Sequence, residues 1–360
     1  MTSPKPALLV LRALGLGDLL TAVPALRGLR RAFPGHRVLL AAPARLADAA
    51  AATGTVDGLL PVHAPDRGVP ARIPWTGTPP ELAVDLHGSG PASLRPLRAL
   101  RPGRLYGYAR PDGPVWREDE HERERWCRLL GRYGVPADPG ELHLDPPLPR
   151  SPAPGAVLLH PGADAAARRW PPGRFAAVAR ALHRAGRQVV VTAGAGEEPT
   201  ARAVAGEAGL PAGAVAGGDR DLPFPELAAL VAEARAVVVG DTGLAHLATA
   251  LGTPSVILFG PVSPRLWGPP ESPRHRVLYR PGPGPHPPGR ALRPGDAHGD
   301  RPDERLLRIT PHDVLAELEA LPPPGRPRSV PTAAPEPSAS PHDRALDDPN
   351  AHPTPRGEPP

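Results

Sequence analysis

The 360-residue sequence predicts an α/β protein: two doubly wound, parallel-sheet domains in tandem, followed by a proline-rich tail. Three observations predict it. Short continuous apolar runs, such as Ala7–Leu11 and residues 236–239, fit central parallel strands covered on both faces. Segments of helical apolar spacing alternate with these runs, the pattern of βαβ units. The alternation lapses at residues 136–154, where seven prolines fall in 19 positions, and then restarts. A break of that composition reads as an inter-domain linker.

Taken in order, Ala7–Leu11 reads as the first strand, residues 12–18 as a glycine-containing loop, and residues 19–33 as a helix ended by Pro34-Gly35. Arg37–Ala42 reads as a strand and residues 43–52 as a helix. Residues 59–62 and 82–86 read as further strands, and residues 117–131 as a helix. Beyond the linker, strands are expected at residues 156–159, 188–192 and 236–239 and at Ser255–Phe259. Helices are expected at residues 172–185, at Glu198–Ala208, and at residues 224–234, 244–251 and 309–321. Thr310 before Pro311 suits an N-cap followed by proline in the first turn. The expected domains are 1–140 and 155–321. Residues 322–360 hold 13 prolines, few apolar residues and no periodicity, so they are expected to be disordered.

Composition removes several function classes. No apolar stretch reaches the roughly 18–20 residues of a membrane-spanning helix, and the start of the chain lacks the apolar length and cleavage site of a signal peptide. A cytoplasmic location is expected, with contact at the inner face of a membrane if the substrate is lipid-linked. The single cysteine, Cys127, excludes an internal disulfide framework and a cysteine-cluster metal site, and it is expected simply to pack. The net charge of +5 comes with a pI near 10 because nearly all the basic residues are arginine. Those arginines read as scattered rather than as a stripe with interleaved aromatics, so nucleic acid is not an expected partner.

Three loops follow strands and open helices, where open parallel sheets bind ligands. In Gly15-Leu16-Gly17-Asp18 the two glycines permit close approach of backbone. Asp18 can cap the helix or act as a catalytic carboxylate. The loop is not a dinucleotide fingerprint, because the third glycine position is Leu20. In the loop from His160-Pro161-Gly162 to Arg168-Arg169-Trp170, guanidinium groups could bind a phosphate in a bidentate way, or form a solvated basic loop with a packing tryptophan. In Gly240-Asp241-Thr242-Gly243, with His246 one turn later, helix-start amides, a hydroxyl and a glycine make an anion cradle. Asp241 could be a cap or a ligand partner. Ser263, after the next strand, is explained by turn chemistry.

Four of these segments resemble glycosyltransferase family 9, the ADP-heptose:lipopolysaccharide heptosyltransferases: "LLVLRALGLGD" at Leu8 to Asp18, "AVDLHGSG" from Ala83, "LHPGADAAARRWPPGRF" from Leu159, and "VVVGDTGLAHLATALGTPSVILFGPVSP" from Val237. Order and spacing agree over residues 7–321. The resemblance implies a GT-B architecture, two Rossmann-like domains across a cleft, with the acceptor on the first and the nucleotide sugar on the second. It implies an inverting, metal-independent transfer from a nucleotide-diphosphate sugar, ADP-linked heptose by family default, to a glycan or lipid-linked acceptor. Neither a metal nor a separate cofactor is expected. Asp18 matches the family's general base, with Gly15 and Gly17 in the acceptor-side loop. Arg168 stands where the family often has a lysine facing the donor diphosphate. Asp241, Thr242, Gly243 and His246 match its nucleotide-diphosphate loop. Gly162 and Ala163 depart from family members that carry hydroxyl residues there. The rival readings are a nucleotide-sugar-binding protein without turnover and a sugar-nucleotide epimerase.

Overall fold

The computed structural model describes residues 5–65, 68–145, 149–282, 292 and 294–323, all within one compact unit. The expected tail, residues 322–360, lies outside the described residues from residue 324 onward. Among the described residues the strands form two parallel sheets. The first contains β1 (Ala7–Leu11), β2 (Arg37–Ala42), β3 (Gly58–Pro61), β4 (Leu82–Asp85) and β5 (Arg104–Tyr106), in the order β3-β2-β1-β4-β5. The second contains β6 (Val157–His160), β7 (Val189–Ala193), β8 (Val215–Gly217), β9 (Ala236–Gly240), β10 (Ser255–Phe259) and β11 (His275–Tyr279), in the order β11-β10-β9-β6-β7-β8. The register fits the expected apolar runs: Leu9 of β1 lies between Leu39 of β2 and Ala83 of β4. The winding of each sheet reverses once, between β1 and β4 and between β6 and β9. Ligands of open α/β sheets lie at such reversals, beyond the carboxyl ends of the strands.

The helices are α1 (Leu16–Thr21), α2 (Val23–Ala32), α3 (Ala47–Ala52), α4 (Pro91–Arg98), α5 (Glu122–Arg132), α6 (Pro172–Arg184), α7 (Glu198–Ala208), α8 (Phe224–Ala232), α9 (Gly243–Leu251), α10 (Pro264–Trp267), α11 (Glu304–Leu307) and α12 (Pro311–Glu319). Three of the expectations need correcting. The helix expected at residues 19–33 is two helices and begins three residues earlier, so Gly17 and Asp18 are helical rather than loop residues. Pro24 has no N–H to continue the ladder, so the chain breaks at Ala22 and restarts with Pro24 in the first turn of α2. The helix expected from residue 117 begins at Glu122, because the His121 ring caps it by accepting the Arg123 N–H at 3.2 Å. α4, β5, β8 and β11 were not expected. Two prolines obscure α4, and the three strands are short or polar at the sheet margins, where apolar runs are not required.

The proline-rich junction is a strap tied to both halves. The Arg27 guanidinium donates to the Glu141 carbonyl at 3.0 Å, the Leu144 N–H to the Ala250 carbonyl at 2.7 Å, and the Ser151 N–H to the Glu233 carboxylate at 3.2 Å. One buried apolar cluster also runs through both halves, joining Leu20 and Leu26 to Leu244 and Leu247. Cys127 packs as expected, and burial pushes its thiol up to about 12.

A buried charge sits at the first reversal. Arg12, only 1% exposed, follows β1 and donates to the Asp18 carbonyl at 2.9 Å, to the Leu86 carbonyl, and to the Glu122 carboxylate at 2.9 Å. Its guanidinium lies 4.8 Å from the ring centroid of Trp126. Glu122 also accepts from Arg125 and from the Trp126 indole N–H at 2.9 Å. Burial opposes its charge, but Arg12 and Arg125 prevail and hold its carboxyl below the usual range.

Glu122→Gln removes the anion that two buried guanidinium groups share and leaves Arg12 with the Asp18 carboxylate at 3.7 Å. It should lower stability by about 3–5 kcal/mol at neutral pH, read by urea unfolding. Because the folded value lies below the ordinary 4.5, the wild-type contribution is complete above that value and is lost as acidification passes through the folded value. The gap between wild type and variant should therefore narrow only at strongly acid pH.

Candidate functional site

Four loops surround the two sheet reversals. The first leaves β1. Gly15 caps α1 in an extended conformation, and Asp18, in the first turn, accepts the Gly15 N–H on Oδ2 at 3.0 Å. Asp18 is 6% exposed, and its Oδ1 lies 3.7 Å from Arg12. The carboxylate therefore does cap the helix, with one oxygen committed to the backbone and the other facing a cation. Capping and proton acceptance are compatible, since the capping contact also orients the carboxylate.

The second loop leaves β4. Asp85, 1% exposed, accepts from the Ser93 hydroxyl at 2.6 Å and from the His87 N–H at 2.9 Å. Burial pushes its carboxyl up to about 6 despite those hydrogen bonds. His87 Nδ1 accepts the Ala13 N–H at 3.1 Å, tying this loop to the one that carries Asp18. Burial and the Arg12 charge bring His87 down to about 4. The ring is thus neutral at pH 7, with Nδ1 available as the acceptor this contact needs.

The third loop leaves β6. His160 Nδ1 lies 3.1 Å from both the carbonyl and the hydroxyl of Thr192. Glu197, which accepts the Gly194 N–H at 2.8 Å, packs so tightly over Gly162 that a Cβ there would lie 2.0 Å from its carboxylate. Gly162 thus leaves room for the Glu197 carboxylate, the movable end of a flexible side chain. Farther along, Trp170 is buried, donates to the Ile309 carbonyl at 3.0 Å and meets Phe175 edge-on at 4.9 Å. It is a packing residue. Arg169 donates to the Ala163 carbonyl at 2.8 Å and so braces its own loop. Arg168 reaches the fourth loop: its Nη1 lies 3.4 Å from both the carbonyl and the carboxylate of Asp241.

The fourth loop leaves β9 and opens α9. Thr242 is the N-cap but makes no capping hydrogen bond, and among the described residues its buried hydroxyl has no partner. An unpaired buried hydroxyl at a helix start, beside open amides and a glycine, is arranged for an anion. His246 lies one turn into α9, with its ring 6.0 Å from Trp267. Burial holds its imidazole below the usual range, against the pull of the Asp241 and Asp18 carboxylates, so it is neutral at pH 7. Ser263 caps α10 by accepting the Arg265 N–H at 3.3 Å, as its turn chemistry suggested.

The first and fourth loops meet. A Cβ on Gly17 would lie 2.7 Å from the His246 ring, and a Cβ on Gly243 would lie 3.1 Å from Leu16 and 3.3 Å from the Gly17 nitrogen. Asp18 and the start of α9, 225 residues apart in sequence between Asp18 and Gly243, are thereby brought to one place. Gly15, Gly17, Asp18, Arg168, Asp241, Thr242, Gly243 and His246 all lie at this junction. Reading the sequence did not single out Arg12, Asp85, His87, Glu122 or Glu197. The available signals were Arg12, a charge directly after a fully apolar strand, and the "AVDLHGSG" segment that holds Asp85 and His87. Among the described residues no group of three or more His, Cys, Asp or Glu side chains is clustered to hold a metal ion.

Two Rossmann-type sheets joined at their reversal points are the GT-B architecture. Residues 120–282 match the model of glycosyltransferase family 9 (heptosyltransferase). Over that stretch the chain is similar to glycosyltransferase family 9. It is 33% identical over 177 residues to lipopolysaccharide heptosyltransferase 2 of Escherichia coli K12, covering 45% of each chain. The aligned stretch thus spans about half the length of that curated relative. Two solved structures share the fold over most of the chain. A family 9 glycosyltransferase from Veillonella parvula has a TM-score of 0.70 at 19% identity, covering 89% of this chain and 98% of its own. E. coli heptosyltransferase WaaC with ADP has a TM-score of 0.60 at 20% identity, covering 88% and 100%.

Gly17→Ala should force the two loops apart and destabilise the fold by about 1–3 kcal/mol, read by thermal or urea unfolding. A neutral result would show that the contact yields easily. Asp85 predicts a pH effect of defined sign. Its folded value of about 6 lies above its ordinary 3.8, so the wild type loses stability relative to Asp85→Asn as pH rises through that window. The stability difference between variant and wild type should favour Asp85→Asn increasingly from pH 4 to pH 7 and then level off.

Proposed function

We propose that this protein is an inverting glycosyltransferase that moves a heptose from an ADP-linked donor to a glycan or lipid-linked acceptor, with protein groups rather than a metal meeting the leaving diphosphate. The observation that carries the reading is the meeting of the two reversal points. It sets the Asp18 carboxylate beside a helix start whose buried Thr242 hydroxyl has no partner. The matched family model and the heptosyltransferase relatives support the donor class, and the related structure that holds ADP supports the nucleotide. The relatives named for lipopolysaccharide support a glycolipid acceptor, which would place the reaction at the cytoplasmic face of a membrane.

In this mechanism the acceptor hydroxyl oxygen attacks the anomeric carbon on the face opposite the diphosphate. Its proton passes to Asp18, which its contacts with the Gly15 N–H and Arg12 keep oriented. The bond from the anomeric carbon to the diphosphate oxygen breaks, and the charge that develops there is met by α9 amides, the Thr242 hydroxyl and an N–H of the neutral His246. Arg168 reaches the same oxygens from the facing loop. Its pairing with Asp241 holds the guanidinium at the site before the ligand arrives, and the ligand then shares that charge.

The test is release of nucleotide diphosphate from a panel of ADP-, GDP-, UDP- and dTDP-sugars, alongside calorimetric nucleotide binding. An ADP-sugar should turn over, and Asp18→Asn should slow turnover by about 100-fold or more with ADP affinity retained. Thr242→Val should weaken ADP binding several-fold, roughly the worth of one hydrogen bond to a charged group. Binding without turnover across donors and acceptors would favour a nucleotide-sugar-binding protein. Failure of the folded chain to bind any nucleotide would overturn the reading.

A further inference from the structure

The arginines are not all scattered. Between Asp85 and Asp112 the chain carries no acidic residue and five arginines, of which Arg95, Arg98, Arg101 and Arg104 recur at every third position. The fold gathers part of this run into a groove at the margin of the first sheet, lined by Arg98 of α4, Arg101 in the following turn, Arg104 and Tyr106 of β5, and Arg110 and Asp112 beyond it. The turn enters β5 at its amino end, where the Gly103 N–H bonds to the Pro80 carbonyl just ahead of β4. The Asp18 loop leaves the central strand β1, whereas the groove runs along the edge strand β5 of the same sheet.

Acidic neighbours neutralise only part of the groove. Arg104 pairs with Glu81 at 3.0 Å, and Arg110 pairs with Asp112 at 3.0 Å. Among the described residues, Arg98 and Arg101 have no ion-pair partner, and both side chains are exposed. Arg101 is also the sole non-glycine among them with a left-handed backbone, at φ 50°. That conformation is sparsely populated for a residue with a side chain, and here it turns the chain so that Arg98, Arg101 and Arg104 line one groove. Tyr106 forms one wall, held by stacking on Tyr133 at 4.1 Å and 7°. Planar guanidinium forks beside a fixed aromatic face suit a phosphoryl group carried on a sugar or glycerol.

We infer that this groove is a second anion site, which takes a phosphate monoester or diester independently of the nucleotide loop. The shared chemistry is the phosphoryl group, and its source is either a lipid headgroup or a soluble phosphate. Two or more guanidinium groups converge on it, Arg98 and Arg101 supplying the charge that no carboxylate neutralises.

The experiment uses the full chain, wild type and Arg98→Glu/Arg101→Glu. Inorganic phosphate binding is measured by calorimetry with and without saturating ADP, and sedimentation is measured with phosphatidylcholine vesicles with and without phosphatidic acid. The expected result is phosphate or phosphatidic-acid binding that persists under ADP. The double variant should weaken it by about tenfold or more, as for loss of charge-assisted hydrogen bonds, while thermal stability and ADP affinity stay unchanged. Arg98→Lys/Arg101→Lys should fall between, since it keeps charge and loses the fork. Vesicle binding names a lipid headgroup as the source, and phosphate binding without vesicle binding names a soluble ligand. Phosphate binding that ADP abolishes, equal binding by the glutamate variant, or no binding of either probe would overturn the site. A failure of nucleotide binding alone would instead bear on the transferase reading.

Discussion

The buried guanidinium of Arg12 is the contact on which the first half of the site depends. Taking a charge out of water costs several kcal/mol unless each donor finds an acceptor. Arg12 meets that demand with acceptors from three separate places: the Asp18 carbonyl in α1, the Leu86 carbonyl after β4, and the Glu122 carboxylate at the start of α5. Those places can satisfy it only in one arrangement. The end of β1, the end of β4 and the first turn of α5 are thus fixed relative to one another by a single side chain. His87 adds a second tie between the first two, through the Ala13 N–H. Asp18 is consequently held by its backbone carbonyl as well as by its carboxylate, and its position does not rest on the flexibility of a glycine loop.

The two halves meet under a different constraint, which is steric. Gly17 and Gly243 lie where any larger residue would press on the opposite helix. The apolar cluster that joins Leu20 to Leu244 and Leu247 holds these helices in contact, and Glu141, Leu144 and Ser151 of the proline-rich junction bond to both halves. The first turn of α1, with Asp18, and the start of α9 are thereby kept close. At the start of α9 the Thr242 hydroxyl is buried with no hydrogen-bond partner among the described residues. His246 is neutral because burial outweighs the nearby carboxylates.

The order of strands explains why the loops that looked chemical are the ones that meet. In each sheet the winding reverses at the strand that precedes a glycine-bearing loop, β1 and β9, and the reversal leaves that strand's carboxyl end uncovered. The apolar runs of β1, β2, β4, β9 and β10 were legible because central parallel strands need apolar residues on both faces. The marginal strands β5, β8 and β11 were not, since one side of each is unpaired and their residues answer to neighbours rather than to a period. The split between α1 and α2 was legible in principle from Pro24, yet continuous apolar spacing on both sides of it concealed the break.

The sequence by itself determined the local chemistry: which runs form buried strands, which loops carry glycine beside a carboxylate or hydroxyl, and which histidine follows a helix start by one turn. These features depend on residues close together in the chain, so spacing reports them. Only the tertiary structure decided which distant groups share one environment. It placed Glu122 against Arg12, 110 residues away, buried Asp85 deeply enough to push its carboxyl up to about 6, and pressed Glu197 onto Gly162. It also turned an even-looking distribution of arginines into a groove with two unpaired charges. Burial, pairing and protonation are properties of the space around a side chain, and that space is built by segments that no local pattern connects.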